Sequence, residues 1–292
     1  MIYSKLKPYI MVLPVSLLMV LFIYALINGL IQSFGILPAA GLTKFTLLYY
    51  KEVFNRSDMM SSLFLSLYIS LVSSLIAVIL GVLISAAASA SGIVKKRSFQ
   101  LLKVPIILPH TVSALLIINI FSQSGILSRL SYHLAIIHNQ QQFISLVFDK
   151  GSIGIILAYL WKEIPFVTLV VVTIMANIDS SLGEAAINLG ATRLKAFFSI
   201  TLPLCLPSIV TSFIIVFAYS FGAFEIPFLL GATSPKSLPV LTYLEYTHPD
   251  LAHRPYAMVL NSLMTTISVL LTYIYYKILQ RNLKKVGVDT NE

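Results

Sequence analysis

An all-α integral membrane protein with six transmembrane helices is the fold class this sequence predicts, and three observations carry it. Of 292 residues, 58% are apolar and only 11% are charged, with a mean hydropathy of +0.90; soluble domains carry about 25% charged residues. Apolar stretches long enough to cross a hydrocarbon core recur six times, at roughly 9–32, 62–90, 101–122, 153–176, 207–231 and 256–279. Lys and Arg also divide unevenly between alternating loops. With the N-terminus inside, twelve of the twenty fall on the inner side and seven on the outer, and Lys162 lies within a span. This places both termini in the cytoplasm and makes the net charge of +9 a topological signal, with no nucleic acid implied.

Each span has its own features. The first follows Lys5 and Lys7, is too long for the apolar region of a secretory signal, and has no clean small-residue cleavage site, so it reads as a retained helix. The second carries Gly81, Ser85, Ala86, Ala87, Ala88, Ser89 and Ala90, small residues that let helix backbones approach closely in lipid. In the third, Pro105, Pro109, His110, Thr111 and Ser113 form a kinked polar patch in which His110 reads as a packing residue.

The fourth span holds Lys162 and Glu163 within Trp161-Lys162-Glu163-Ile164-Pro165-Phe166. Adjacent helical positions point about 100° apart, so each charge needs a partner of its own. Pro165 frees the carbonyl of Trp161 and marks a broken-helix site near mid-membrane. The fifth span carries Glu225 toward its outer end, with Gly222 and Pro227 loosening the helix and Tyr219, Phe221 and Phe224 alongside. Ionisable groups at membrane depth are costly, and a carboxylate beside a broken helix suits a cation path. Glu225, Tyr219, Phe221, Phe224, Glu163 and Trp161 are therefore the candidate pathway residues.

Several functions are excluded. The external stretches 33–61, 123–152 and 232–255 are too short for independent cores, so residues 1–292 read as one transmembrane domain. There is no P-loop and not even a Gly-Lys dipeptide, so the chain has no nucleotide site of its own. No nucleophile or metalloprotease motif is present, which argues against an enzyme. His133, His138, His248 and His253 lack metal-ligand spacing, and no bound metal or cofactor is expected. Cys205 is alone and reads as a packing residue.

The most informative segment is a polar island within the cytoplasmic loop 177–206, running from Glu184 to Pro203. Asp179, Ser180 and Ser181 are candidate caps for a short helix through Leu189. Gly190 permits a turn, Thr192 is a candidate cap, and Leu194, Phe197, Phe198 and Ile200 form an apolar stripe that Pro203 and Pro207 should interrupt. An ordinary amphipathic connector would also use Gly190 as a C-cap.

Glu184-Ala185-Ala186, Gly190, Ile200, Leu202 and Pro203 match every element of the pattern E-A-A, three residues, G, nine residues, I-x-L-P. The island thus resembles the EAA loop of permease subunits of binding-protein-dependent type I ABC importers. The resemblance implies the MetI-like permease fold, with one extra N-terminal helix and a cytoplasmic coupling helix that seats in a dimer of ABC ATPase subunits. ATP and Mg would be used by those subunits. A second permease, a different chain, and an extracytoplasmic substrate-binding protein would complete the assembly in a bacterial-type cell membrane.

Residues 218–231, Ala218-Tyr219-Ser220-Phe221-Gly222-Ala223-Phe224-Glu225-Ile226-Pro227-Phe228-Leu229-Leu230-Gly231, together with the extra first helix, resemble the spermidine/putrescine permease group. That resemblance implies a polyamine or similar small organic cation as substrate. Thiamine, ferric iron and aminoethylphosphonate are alternatives within the class, and a gradient-driven transporter or channel is the alternative outside it.

Overall fold

Long apolar runs leave the backbone to satisfy its own hydrogen bonds, and in lipid the helix is the way a single chain does so. The computed structural model describes residues 2–95, 97–178 and 180–285, and no strand occurs among them. In chain order the helices are α1 Ile2–Ser33, α2 Leu48–Asn55, α3 Ser57–Ser91, α4 Val104–Ile107 and α5 His110–Phe121. They continue as α6 Ile126–His133, α7 Ile153–Asn177, α8 Ser180–Asn188 and α9 Arg193–Ala196. The last are α10 Leu202–Gly222, α11 Glu225–Leu230, α12 Leu238–Tyr246 and α13 Arg254–Lys285.

Among the described residues, six spans are long and apolar enough to cross a membrane: Met11–Ser33, Ser57–Ser91, His110–His133, Ile153–Ala176, Arg193–Gly222 and Leu251–Ile274. The number agrees with the sequence reading, and the interruptions differ. In the third span the backbone is a 3-10 turn over Arg97–Lys103, then α4, and Pro109 separates α4 from α5. The fourth is not broken: α7 runs through Pro165 without interruption.

The fifth span begins earlier and ends sooner than its hydropathy suggests. Pro203 and Pro207 do not end a helix, because the chain passes from α9 through a π turn at Phe197–Thr201 directly into α10. Leu202 N–H donates to Phe197 O, five residues back. The widened turn makes room for the Pro203 ring, which in a regular helix would collide with a carbonyl. At the other end α10 stops at Gly222, and Ala223 is extended at ψ 135°. Glu225 therefore opens the separate short helix α11 and does not sit within the span.

The chain forms two compact units. The first, residues 1–60 with 241–266, is joined by polar links. Tyr50 Oη lies 2.9 Å from Ser33 Oγ and 3.0 Å from Ser262 Oγ, and Glu52 accepts a hydrogen bond from Tyr256. Arg56 pairs with Asp58 at 2.7 Å and with Glu245 at 3.0 Å, and its guanidinium is held above its ordinary pKa chiefly by the Asp58 hydrogen bond.

The second unit, residues 61–240 with 267–292, is organised by α7. Toward the start of α7, Ile155, Ala158 and Tyr159 pack with Ile69 of α3, Ala114 and Ile117 of α5, and Ile226 and Leu230 of α11. Toward its end, Val167, Val171 and Met175 pack with Cys205, Ile209 and Val216 of α10. The small residues of α3 act as the sequence suggests, on one face only. Gly81, Ser85 and Ala88 are buried, whereas Ala87, Ser89 and Ala90 are exposed. A Cβ on Gly81 would stand 2.7 Å from Val167 Cγ1, so only glycine allows this approach. Ser85 Oγ bridges the pair, 2.7 Å from Gly81 O and 3.0 Å from Thr168 O.

Candidate functional site

Two places collect the residues singled out in the sequence. The first is the connector between α7 and α10. Helix α8 ends in a Schellman motif: Gly190 N–H donates to Ile187 O at 2.9 Å and Ala191 N–H to Ala186 O at 3.0 Å, with Gly190 at φ +90°. Thr192 then caps α9, its Oγ1 accepting from Lys195 N–H at 3.2 Å. Two short helices are thereby joined at a turn set by backbone geometry.

Gly190 and Ala185 are exposed, Ala186 and Ile200 are half-buried, Leu202 is half-buried and Pro203 exposed. Asp179 and the side chains of Ser180, Ser181 and Glu184 lie outside the described residues. The connector presents apolar side chains outward, with Leu189 89% and Leu194 71% exposed and Phe198 exposed as well. Leu189 lies outside all six apolar spans, so lipid does not explain its exposure, and Leu194 sits at the very start of the Arg193–Gly222 span.

The second place is a cavity of about 270 Å³ among α4, α5, α7 and α10, whose lining includes Ile106, His110, Lys162, Glu163, Phe166, Ile215, Val216 and Tyr219. As their spacing required, Lys162 and Glu163 have separate partners. Lys162 Nζ donates to the carbonyls of Pro105, at 3.2 Å, and Leu108. The break at Pro109 explains the first of these, because a proline cannot donate to the carbonyl four residues before it. A cation at the end of α4 also complements its dipole.

Glu163 is 3% exposed and accepts a hydrogen bond from Ser220 through Oε1, while its Oε2 has no hydrogen-bond partner. At the mouth, Tyr219 Oη lies 2.7 Å from His110 Nε2 and the two rings are tilted by 32° with centroids 5.0 Å apart. Behind it Tyr159 donates to Ser220 O at 3.3 Å.

The other candidates fall around this cavity rather than in it. Glu225 is exposed, close enough to His110 and Tyr219 to act on them electrostatically. Phe221 is buried, stacked on Phe217 at 5.8 Å, and Phe224 is half-buried and stacked on Phe228 at 4.9 Å. Trp161 is 46% exposed and does not line the cavity. Sequence reasoning missed Ser220 and treated His110 as a packing residue. A signal was present in the helical phase: Val216, Tyr219 and Ser220 are at i, i+3 and i+4 on one face of α10.

Residues 74–285 match the family described as "Binding-protein-dependent transport system inner membrane component". The putrescine transport system permease protein PotI of Escherichia coli is 34% identical over 95 residues, 32% of this chain. That match spans about a third (34%) of PotI. The molybdenum transport system permease protein ModB of Haemophilus influenzae is 28% identical over 189 residues, 63% of this chain and 79% of ModB. Among solved structures, a bacterial alginate ABC transporter in complex with an alginate pentasaccharide-bound periplasmic protein superposes with a TM-score of 0.79 at 18% identity, covering 96% of this chain and 97% of that one. At that identity the likeness is one of fold.

Proposed function

The chain belongs to the family of binding-protein-dependent transport system inner membrane components, and we propose that it is the transmembrane subunit of an ATP-driven importer, with α8 and α9 as its coupling element. The observation that carries the reading is the connector: two short helices about a left-handed glycine, with Leu189 and Leu194 turned to the outside. An exposed apolar patch on a polar loop fits a protein partner. In this reading the partner is an ABC ATPase dimer, which binds ATP and Mg. A second permease completes the pathway, an extracytoplasmic binding protein delivers solute, and both termini face the cytoplasm. Glu184, Ala185, Ala186 and Gly190 shape the docking helix, and Ile200, Leu202 and Pro203 join it to the span.

The proposed substrate is a polyamine or similar small organic cation. It is supported by the likeness to PotI and by two carboxylates, Glu163 in the cavity and Glu225 beside its mouth. A second reading, a small oxyanion, is favoured by the Lys162 ammonium at the cavity and by the longer match to ModB.

The test is purification from native membranes followed by reconstitution with whatever copurifies. ATP-dependent solute uptake that is lost in Gly190→Val, with the ATPase no longer retained, is the expected outcome. A chain that purifies alone and moves solute along an ion gradient would overturn the importer reading.

A further inference from the structure

The hydrogen-bond inventory of the cavity separates the two substrate readings. Lys162 already gives two of its three N–H donors to the carbonyls of Pro105 and Leu108. Among the described residues Glu163 has no ion pair, and its Oε2 is a buried acceptor left without a donor. The Ser73 hydroxyl, which contacts Ser70 O at 3.4 Å and also interacts with the Glu163 carboxylate, is neutral and brings no positive charge. A buried, half-satisfied carboxylate is unfavourable on its own and becomes favourable when a cationic donor arrives. The unmet demand of this cavity is therefore for a donor with positive charge.

We propose that Glu163 receives an ammonium group of the transported solute, with the solute's alkyl portion against Phe166 and Ile215. This rests on the cationic-substrate reading above and assigns that substrate's contact within the chain. The walls suit the rest of such a molecule, since most of the cavity lining is apolar carbon. Glu225, exposed and in electrostatic reach of Tyr219, draws cations toward the mouth. An oxyanion would meet the single remaining donor of Lys162 next to the Glu163 carboxylate, so attraction and repulsion would act together.

The experiment is uptake of radiolabelled putrescine and of molybdate by vesicles carrying the complete transporter, with wild type, Glu163→Gln, Glu163→Asp and Ile215→Trp compared. Copurification of the ATPase serves as the check on folding. Putrescine uptake should fall about tenfold or more in Glu163→Gln, recover in part in Glu163→Asp, and fall in Ile215→Trp, which fills the cavity and leaves the carboxylate in place. Should Glu163→Gln misfold, a normal rate for Ile215→Trp would overturn the proposal. Wild-type putrescine uptake that is unchanged in Glu163→Gln would overturn it too, leaving the cationic reading intact. A wild-type complex that carries molybdate and no putrescine would overturn both.

Discussion

Gly81 and Gly190 are the same residue kept for opposite reasons. At Gly81 the backbone is ordinary helix and the constraint is the neighbour, since an added Cβ would press on Val167 at 2.7 Å. At Gly190 the surroundings are open, with nothing within 4 Å of an added Cβ, and the constraint is φ at +90°. The membrane seam between α3 and α7 is thus specified by packing. The connector between α8 and α9 is specified by its own backbone. A region of the first kind fails when volume changes, and one of the second kind fails when dihedral preference changes.

Substitutions at both places sharpen that contrast. Gly81→Leu should have the largest effect, about 3 kcal/mol or more, because α3 and α7 must separate along their length; thermal unfolding in detergent and the amount of chain inserted in membranes would show it. Normal stability for that variant would mean the seam is not close-packed. Lys162→Ala comes next, leaving the Pro105 and Leu108 carbonyls without their donor at about 1–3 kcal/mol for each orphaned group. Hydrogen exchange should rise across α4 and the start of α5.

Gly190→Ala should cost about 1–2 kcal/mol, all of it from the left-handed conformation. Membrane insertion should stay normal, and a loss of insertion would contradict the backbone explanation. Thr192→Ala should be smallest, about 1 kcal/mol confined to α9, read as faster exchange at the Lys195 amide.

The same division explains what could be read from the sequence. The Thr192 cap and the Gly190 turn depend on residues a few positions apart, and both were legible. The buried face Gly81, Ser85 and Ala88 was legible as a cluster of small residues, though not as a face. The six spans were legible because hydropathy sums over many residues. Hydropathy alone joins α10 and α11 into one apolar stretch, and it was Gly222 and Pro227 that marked the loosened helix there; the exact break at Ala223 was not legible. The cavity was the least legible feature. Lys162 meets carbonyls 54 and 57 positions away and Glu163 meets Ser220 across 57, and these pairings exist only once α4, α7 and α10 are assembled. Separate partners for the two charges could be foreseen from helical phase; their identities could not.

The π turn at Phe197–Thr201 bears on how the connector and the span are kept in phase. A π turn holds one more residue than an α turn, so the chain carries a spare position between α9 and α10. Deleting one residue there would leave the outward faces of both helices pointing as they do now. The Pro203 ring would then meet a regular α turn and bend the rod at its base. In mechanical terms the extra residue works like a shim: it lets α9 run into α10 without a break across a proline, so that the connector is continuous in backbone with the helix that carries Tyr219.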